Sequence, residues 1–149
     1  MAANTAPIFP IAPAYSYASL AAATACTTRG TVAHASLTAT PCFAVQLTQV
    51  TTNGRRVDAI TVRGISTSMT AATVAQTVIL WISDGVNAYP IDEIAVTAVT
   101  PSTTVGPFTT TKSYTTLVIP AGCTLWVSTT VTTTAATTAL GVFLFGGDY

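Results

Sequence analysis

Alternation of apolar and polar residues predicts β-strands along most of the chain from residue 30 onward. Ile60 and Val62 alternate with Thr61 and Arg63, which is the period of two expected when successive side chains point to opposite faces of a sheet. Turn residues separate such segments at intervals of about 8 to 12 residues, a spacing typical of β-sandwiches and barrels. No amphipathic helix of useful length interrupts the series, so the chain is predicted to be all-β.

About eight strands are predicted. They cover residues 31–39, 43–48, 57–65, 77–83, 89–97, 113–119, 125–131 and 139–145. Asn53-Gly54 predicts a hairpin between the second and third of these strands, since this dipeptide favours tight two-residue turns. Asp84-Gly85 and the run Pro120 to Gly122 predict further turns.

Two strands are apolar on both faces. Residues 78–82 read VILWI and residues 140–145 read LGVFLF, whereas an antiparallel strand with one wet face should alternate. The pattern predicts an antiparallel β-sandwich in which one face of these strands packs on the second sheet. The other face is expected to meet an arm of the chain or another subunit.

The first 29 residues differ from the rest and predict an extended N-terminal arm, followed by a sandwich domain over residues 30–149. Pro7, Pro10 and Pro13 fix φ and remove backbone donors, which disfavours both helix and sheet. The arm carries large apolar side chains at Ile8, Phe9, Ile11, Tyr15 and Tyr17. Since burying each is worth roughly 1.5 to 3 kcal/mol, we expect the arm to dock on its own domain or on a neighbouring chain.

Charge is scarce in this chain. Only 7% of its 149 residues are charged and the formal net charge is zero, while 32 residues are threonine; about 25% charged is usual. A neutral surface attracts no phosphate backbone, which argues against nucleic-acid binding. Net charge near zero also favours association, so permanent self-assembly is predicted. Neither a signal peptide nor a membrane-spanning segment is predicted.

Cys26, Cys42 and Cys123 are too far apart in sequence for a CxxC redox or zinc motif. The prediction is that they are small buried apolar residues. One disulfide among them is left open, because sequence alone gives no geometry for it.

Catalytic and metal-binding patterns are weak. His34 is the single histidine, and it is interpreted as a hydrogen-bonded strand residue rather than a general base, since no GxSxG motif accompanies it. Asp84 is interpreted as a turn residue beside Gly85. Asp92 and Glu93 are adjacent, so on a strand they point to opposite faces and do not share a cation. No catalytic residue, metal or cofactor is therefore predicted.

Arg55, Arg56 and Arg63 are three of the five basic residues. Pairing with Asp58 or with carboxylates of a neighbouring strand or subunit is expected, because arginine suits interface ion pairs. Asp92 or Glu93 is one candidate partner for Arg55 or Arg56.

Trp81 and Trp126 have two interpretations. Core or interface packing is the default for tryptophan in strands, and a sugar-binding platform is the alternative.

Residues 53–149 resemble small virion proteins of tailed bacteriophages. The resemblance rests on GRRVDAITVRG, VILWISDGVNAYPIDEIAVTAVTPSTTVGPF, LVIPAGCTLWVSTT and the terminal FLFGGDY. Their shared order is a strand ending in a DG hairpin, a returning EI strand, a PAG turn before a further strand, and a final GGD with an aromatic residue.

The resemblance implies a capsid decoration or cement protein. Its expected form is a jelly-roll-like β-sandwich, often a trimer, on the outer capsid where major capsid protein subunits meet, with no catalytic residues. The alternative is a fibre or spike module that binds a receptor or carbohydrate through Trp81 and Trp126.

Overall fold

Two antiparallel sheets make up the protein. The computed structural model describes residues 12–50, 53–68, 70–136 and 138–149, and within them ten strands form two five-stranded sheets. The strands are β1 (Ala12–Leu20), β2 (Val32–Ala33), β3 (Val45–Gln49), β4 (Arg55–Gly64), β5 (Gln76–Ser83), β6 (Asn87–Val96), β7 (Thr109–Ser113), β8 (Val118–Ile119), β9 (Thr124–Thr129) and β10 (Leu140–Asp148). The all-β sandwich prediction is confirmed, with ten strands rather than about eight.

Sheet A has the order β1-β10-β4-β7, with β8 also paired to β4, and sheet B has the order β2-β6-β5-β9-β3. Among the strands of the described residues, consecutive ones pair directly only in the β5–β6 hairpin. Elsewhere the chain passes repeatedly between the sheets, which is the alternation expected of a jelly-roll-like sandwich. In the described part of the chain, no helix is long and apolar enough to cross a bilayer.

Strand β1 corrects the prediction that residues 1–29 form an arm outside the sheets. Ala12–Leu20 pairs along its whole length with β10, and its small residues Ala14 and Ala18 and its last residue Leu20 face the core. Pro13 is compatible with this position because β1 pairs on one side only, so the missing N–H breaks no ladder. Pro7, Pro10 and the apolar residues Ile8, Phe9 and Ile11 lie outside the described residues.

The hairpin predicted at Asn53-Gly54 is wrong. Strand β3 before it pairs with β9 in sheet B, whereas β4 after it pairs with β10 and β7 in sheet A. The connection therefore crosses from one sheet to the other. Turn residues such as Asn53-Gly54 indicate a bend in the chain. Which strands pair on either side of the bend depends on which faces are buried in the core.

Two predicted strands are shorter than the sequence suggested. In the segment 31–39 only Val32 and Ala33 pair, and a single 3-10 turn follows at His34–Ser36. The segment 113–119 begins at Ser113, the last residue of β7, and ends with Val118 and Ile119, which form β8; a loop lies between them.

The main core lies between the sheets. Its large, fully buried members come from strands of both sheets: Leu20, Ile60, Leu80, Ile119, Leu125, Leu140 and Leu144. A second cluster lies on the other side of sheet B, where the segment 26–44 covers Ile79 and Trp81. The two-faced pattern VILWI is therefore satisfied within one chain.

Candidate interaction surface

The outer face of sheet A carries four neighbouring aromatic residues, called here the aromatic face: Tyr15, Tyr17, Phe143 and Phe145. The β1–β10 register places Tyr15 opposite Phe145 and Tyr17 opposite Phe143. Tyr15 is 83% exposed, Phe145 49% and Tyr17 48%. Large apolar side chains of a single chain thus form one continuous exposed patch, a feature that marks interaction sites.

Strand alternation produces this face. The residues of β1 and β10 that alternate with the aromatic residues, such as Ala18 and its partner Val142, point into the core. The aromatic side chains must therefore point outward. Tyr17 and Phe143 pack with ring centroids 4.8 Å apart. Gly141 makes room for them, since a Cβ there would lie 3.0 Å from the Tyr17 ring and 3.1 Å from the Phe143 ring.

Hydroxyl groups continue the same face beyond the aromatics. Thr61 of β4 lies opposite Phe143 and, on its other side, opposite Thr111 of β7. The two threonine Oγ1 atoms are 2.8 Å apart. The outer face of sheet A therefore grades from aromatic rings at the β1 edge to threonine hydroxyls at the β7 edge.

Asp84 is the turn residue that the sequence predicts. Its Oδ1 accepts hydrogen bonds from the backbone N–H groups of Val86 at 2.8 Å and Asn87 at 2.7 Å. These bonds hold the pKa of Asp84 below its usual value. The carboxylate is used in closing the β5–β6 hairpin.

Asp92 and Glu93 point to opposite faces of β6, as predicted. Asp92 faces sheet A, where it accepts hydrogen bonds from Lys112 Nζ and Tyr114 Oη, each at 2.6 Å. Glu93 lies on the other face and pairs with Arg29 at 2.7 Å. Among the described residues, no group of three His, Cys, Asp or Glu side chains is arranged to hold a metal ion.

The pKa values of Asp92 and Tyr114 shift in opposite directions. Burial alone would raise the pKa of Asp92, but hydrogen bonds from Lys112, Tyr114 and the Glu93 N–H outweigh it, so the pKa lies below its usual value. Burial and the neighbouring Asp92 carboxylate together raise the pKa of Tyr114 far above its usual value. The tyrosine therefore stays a proton donor to Asp92.

Within the chain, Arg55 and Arg56 pair with carboxylates other than Asp92 and Glu93, and a pairing across an interface stays a prediction. Arg55 forms a two-pronged pair with Asp148, Nε to Oδ1 at 2.5 Å and Nη2 to Oδ2 at 2.9 Å. Arg56 pairs with Asp58, two residues along the same strand, at 2.7 Å, as the sequence allowed. The hydrogen bond from Arg55 lowers the pKa of Asp148.

His34 is hydrogen-bonded to Ser83, the last residue of β5. Its Nδ1 lies 2.7 Å from Ser83 Oγ, but the Ser83 hydroxyl donates its single proton to the carbonyl oxygen of Asn87 at 2.9 Å. Nδ1 must therefore be the donor in the first contact. His34 is hydrogen-bonded as predicted, although it begins the 3-10 turn rather than lying in a strand.

The sugar platform proposed for the two tryptophans is corrected. Trp81 is fully buried and Trp126 is 9% exposed, and both belong to the second cluster beneath the segment 26–44. The Trp81 indole N–H donates to Ser128 Oγ at 2.8 Å. Neither ring presents a face to solvent.

Cys26 and Cys42 are buried in the same second cluster, whereas Cys123 is partly exposed. All three are free thiols. Burial, with a contribution from Cys26, raises the pKa of Cys42 to about 12. The prediction of buried apolar cysteines is confirmed for Cys26 and Cys42.

The sequence indicates which aromatic residues share a face within each strand, but not that the two strands lie side by side. Tyr15 and Tyr17, two apart, and Phe143 and Phe145, two apart, each have the spacing of one strand face. Their pairing depends on a register between residues more than one hundred positions apart, for which a single sequence carries no signal.

Comparisons with known proteins give no match to this chain. No family model, no curated protein and no solved structure matches the chain. The structure thus defines the class, a small antiparallel β-sandwich with an exposed aromatic face.

Proposed function

We propose that this protein is a structural component of a bacteriophage virion, which binds the outer surface of the capsid and reinforces it as a homo-oligomer, with a trimer as the expected form. Its partners are the major capsid protein and further copies of itself. The aromatic face is the observation on which the proposal rests.

Exposure of the aromatic face is costly in a monomer. Removing a large apolar side chain from water is worth roughly 1.5 to 3 kcal/mol, and Tyr15, Tyr17 and Phe145 are each about half exposed or more. Tyrosine and phenylalanine are also enriched at protein interfaces. A permanent partner surface on this face would remove that cost.

The arrangement of charges supports an attachment that does not depend on ions. Four ion pairs within the chain engage four of the five basic side chains, and the aromatic face itself carries no charged residue. Contacts made by rings and hydroxyls are insensitive to salt. A cement protein must stay attached through dilution and changes of ionic strength, and such a surface suits that requirement.

The motifs that resemble phage virion proteins act here as structural elements. Asp84-Gly85 closes a hairpin, Pro120 to Gly122 forms a turn closed by the Cys123 N–H to the Pro120 carbonyl, and Asp148 of the terminal GGD pairs with Arg55. They support a shared architecture. The proposed capsid role therefore rests on the aromatic face and on the experiment that replaces its residues.

The fibre or spike alternative was based on Trp81 and Trp126 as a carbohydrate platform. Since both rings are buried, that basis is lost, and the capsid role is the better-supported function.

The test replaces exposed aromatics without removing β1, because β1 is part of sheet A. In the double variant Tyr15→Ser, Phe145→Ser, we expect native mass spectrometry to give monomers and sedimentation with capsids to fall to background. The matched control is Val86→Ser, which removes a side chain that is 71% exposed at the β5–β6 hairpin. This control should keep wild-type assembly and occupancy.

Circular dichroism must show that the double variant is folded. A folded double variant that still occupies capsids at the wild-type level would contradict the proposal. So would a wild-type protein that neither self-associates nor sediments with capsids.

A further inference from the structure

Arg63 is the one basic side chain that the other described residues leave unpaired. The four others form the pairs Arg29–Glu93, Arg55–Asp148, Arg56–Asp58 and Lys112–Asp92. Arg63 makes no ion pair or hydrogen bond within the described part of the chain. In a protein with only five positive charges, a free guanidinium beside a cavity is a candidate ligand-binding group.

A cavity of about 440 Å³ lies beside Arg63. Its walls are the end of β4, the residues Ser66, Ser68, Ala71 and Thr73, and the loop 101–107, so it lies at one end of the sandwich. Hydroxyl-bearing residues line it at Ser66, Ser68, Ser102 and Thr104, and prolines line it at Pro101 and Pro107. Its volume is within the range of small-molecule sites, roughly 300 to 1,000 Å³.

Ser66 provides an independent observation. Its Oγ is buried, yet it has no hydrogen-bond partner in the structure. An unpaired buried hydroxyl is unfavourable. Ser66 lies in the wall of the same cavity as Arg63, and a polar ligand there would provide a partner for the Arg63 guanidinium.

Hydrogen bonds hold the walls of the cavity in place. Thr73 is tied to the residues that follow β6, since its Oγ1 accepts from the Val99 N–H at 3.0 Å and donates to the Thr97 carbonyl at 3.1 Å. Ser102 Oγ accepts from the N–H groups of Thr104 at 3.2 Å and Val105 at 3.1 Å. A cavity with such walls is preorganised, which lowers the cost of binding.

We propose that this cavity binds a hexuronate, a six-carbon sugar unit that carries one carboxylate. One planar guanidinium matches one carboxylate in a two-pronged contact. The serine and threonine hydroxyls match sugar hydroxyls, and the proline rings offer apolar surface to the C–H groups of the sugar ring. A bare carboxylate would leave most of the 440 Å³ unfilled. None of the four residues of the aromatic face lines the cavity, and the proposal does not rest on the virion role.

The experiment is a titration of the full-length protein by isothermal calorimetry or NMR at low salt, with sodium glucuronate, glucose and sodium acetate as probes. We expect glucuronate to bind in the millimolar range, since an exposed arginine gives a screened and modest attraction. Glucose and acetate should each bind about tenfold more weakly or worse, because each lacks one half of the recognised chemistry.

Three variants probe the site. Arg63→Gln should weaken glucuronate binding about tenfold or more, through loss of the charged contact. Gly106→Val adds bulk to the cavity lining at a position where a Cβ meets nothing within 4 Å, and should also weaken binding while the protein stays folded. Arg29→Gln removes an exposed arginine paired with Glu93, and should leave binding unchanged.

Three outcomes would overturn the proposal. The first is no saturable binding of glucuronate by the folded wild-type protein. The second is unchanged glucuronate binding by Arg63→Gln. The third is acetate binding as tight as glucuronate, which would assign the site to a bare carboxylate such as an acidic side chain of a protein partner.

Discussion

Tyr114 donates its hydroxyl proton to Asp92 across the two sheets, with Tyr114 Oη 2.6 Å from Asp92 Oδ2. Asp92 belongs to β6 of sheet B, whereas Tyr114 follows β7 of sheet A and is held by a bond from its N–H to the Asp58 carbonyl. Lys112 adds a second contact to the same carboxylate. Polar groups thus join the two layers at the rim of the apolar core.

Replacing Tyr114 with phenylalanine should therefore weaken the sandwich at this rim. Tyr114→Phe removes one donor to a partly exposed carboxylate, for which we expect a loss of about 1 kcal/mol in the free energy of unfolding. Urea denaturation followed by tryptophan fluorescence measures it. Tyr89→Phe is the control, because the Tyr89 side chain is exposed and its hydroxyl makes no hydrogen bond to described residues. Equal stability of the two variants would contradict the inferred role of Tyr114.

Stability should fall at acid pH through Asp92 and Asp148. Both carboxylates have a pKa lowered in the folded state, so the unfolded chain takes up protons first as the pH drops. Their contribution is present above the unfolded pKa of about 3.9 and is lost as the pH falls through the lower folded values.

Denaturation midpoints measured between about pH 5 and pH 2 test this acid dependence. Asp92→Asn should lower stability at neutral pH and flatten the dependence, and Asp148→Asn should act additively, because the two carboxylates belong to separate ion pairs. An Asp92→Asn protein with the full wild-type acid sensitivity would rule out the Asp92 contribution.

Gly146 should tolerate no side chain. It lies at the β-bulge where the register between β10 and β4 shifts, and a Cβ there would overlap the backbone carbonyl oxygen of Arg56. We expect Gly146→Ala to cost at least about 2 kcal/mol in unfolding free energy, since backbone must move. Gly106→Ala, where a Cβ has open space, should change stability little. Similar thermal denaturation curves for both variants would contradict this packing.

Thiol reactivity should separate Cys123 from the other two cysteines. Cys123 is partly exposed, Cys26 and Cys42 are buried, and the pKa of Cys42 is raised to about 12. Since the thiolate is the reactive form, alkylation by iodoacetamide at pH 8 should label one site in the folded monomer.

In guanidinium chloride all three cysteines should be labelled, as counted by mass spectrometry. Native Cys123→Ser should take up no label over the same period. Labelling of Cys42 in the folded protein as fast as Cys123 would show that the segment 26–44 opens readily.

Local features of the fold could be predicted from the sequence because their causes are local. The Asp84-Gly85 turn is closed by bonds to residues two and three positions ahead. The opposite orientations of Asp92 and Glu93 follow from strand geometry alone. The two-faced run VILWI indicated correctly that β5 is covered on both sides.

Partner choice could not be predicted, since it depends on contacts between distant residues. Asn53-Gly54 has the composition of a hairpin turn, yet β3 and β4 pair with β9 and β10 in different sheets. The prolines near the N-terminus argued against a strand, but Pro13 is compatible with the free edge of β1. The aromatic face and the Arg63 cavity both depend on such long-range placement, so neither follows from the sequence alone.

The pairing of β1 with β10 also constrains how the protein is made. On the ribosome, residues 12–20 emerge more than one hundred residues before their partners at 140–148, and sheet A cannot be completed until those partners have left the exit tunnel. Until then the Tyr15 and Tyr17 side chains and the unpaired backbone of β1 are open to contact with other nascent chains. Because the two strands are so far apart in sequence, we expect the monomer to fold slowly. Assembly of folded subunits therefore begins only after the last strand has been synthesised.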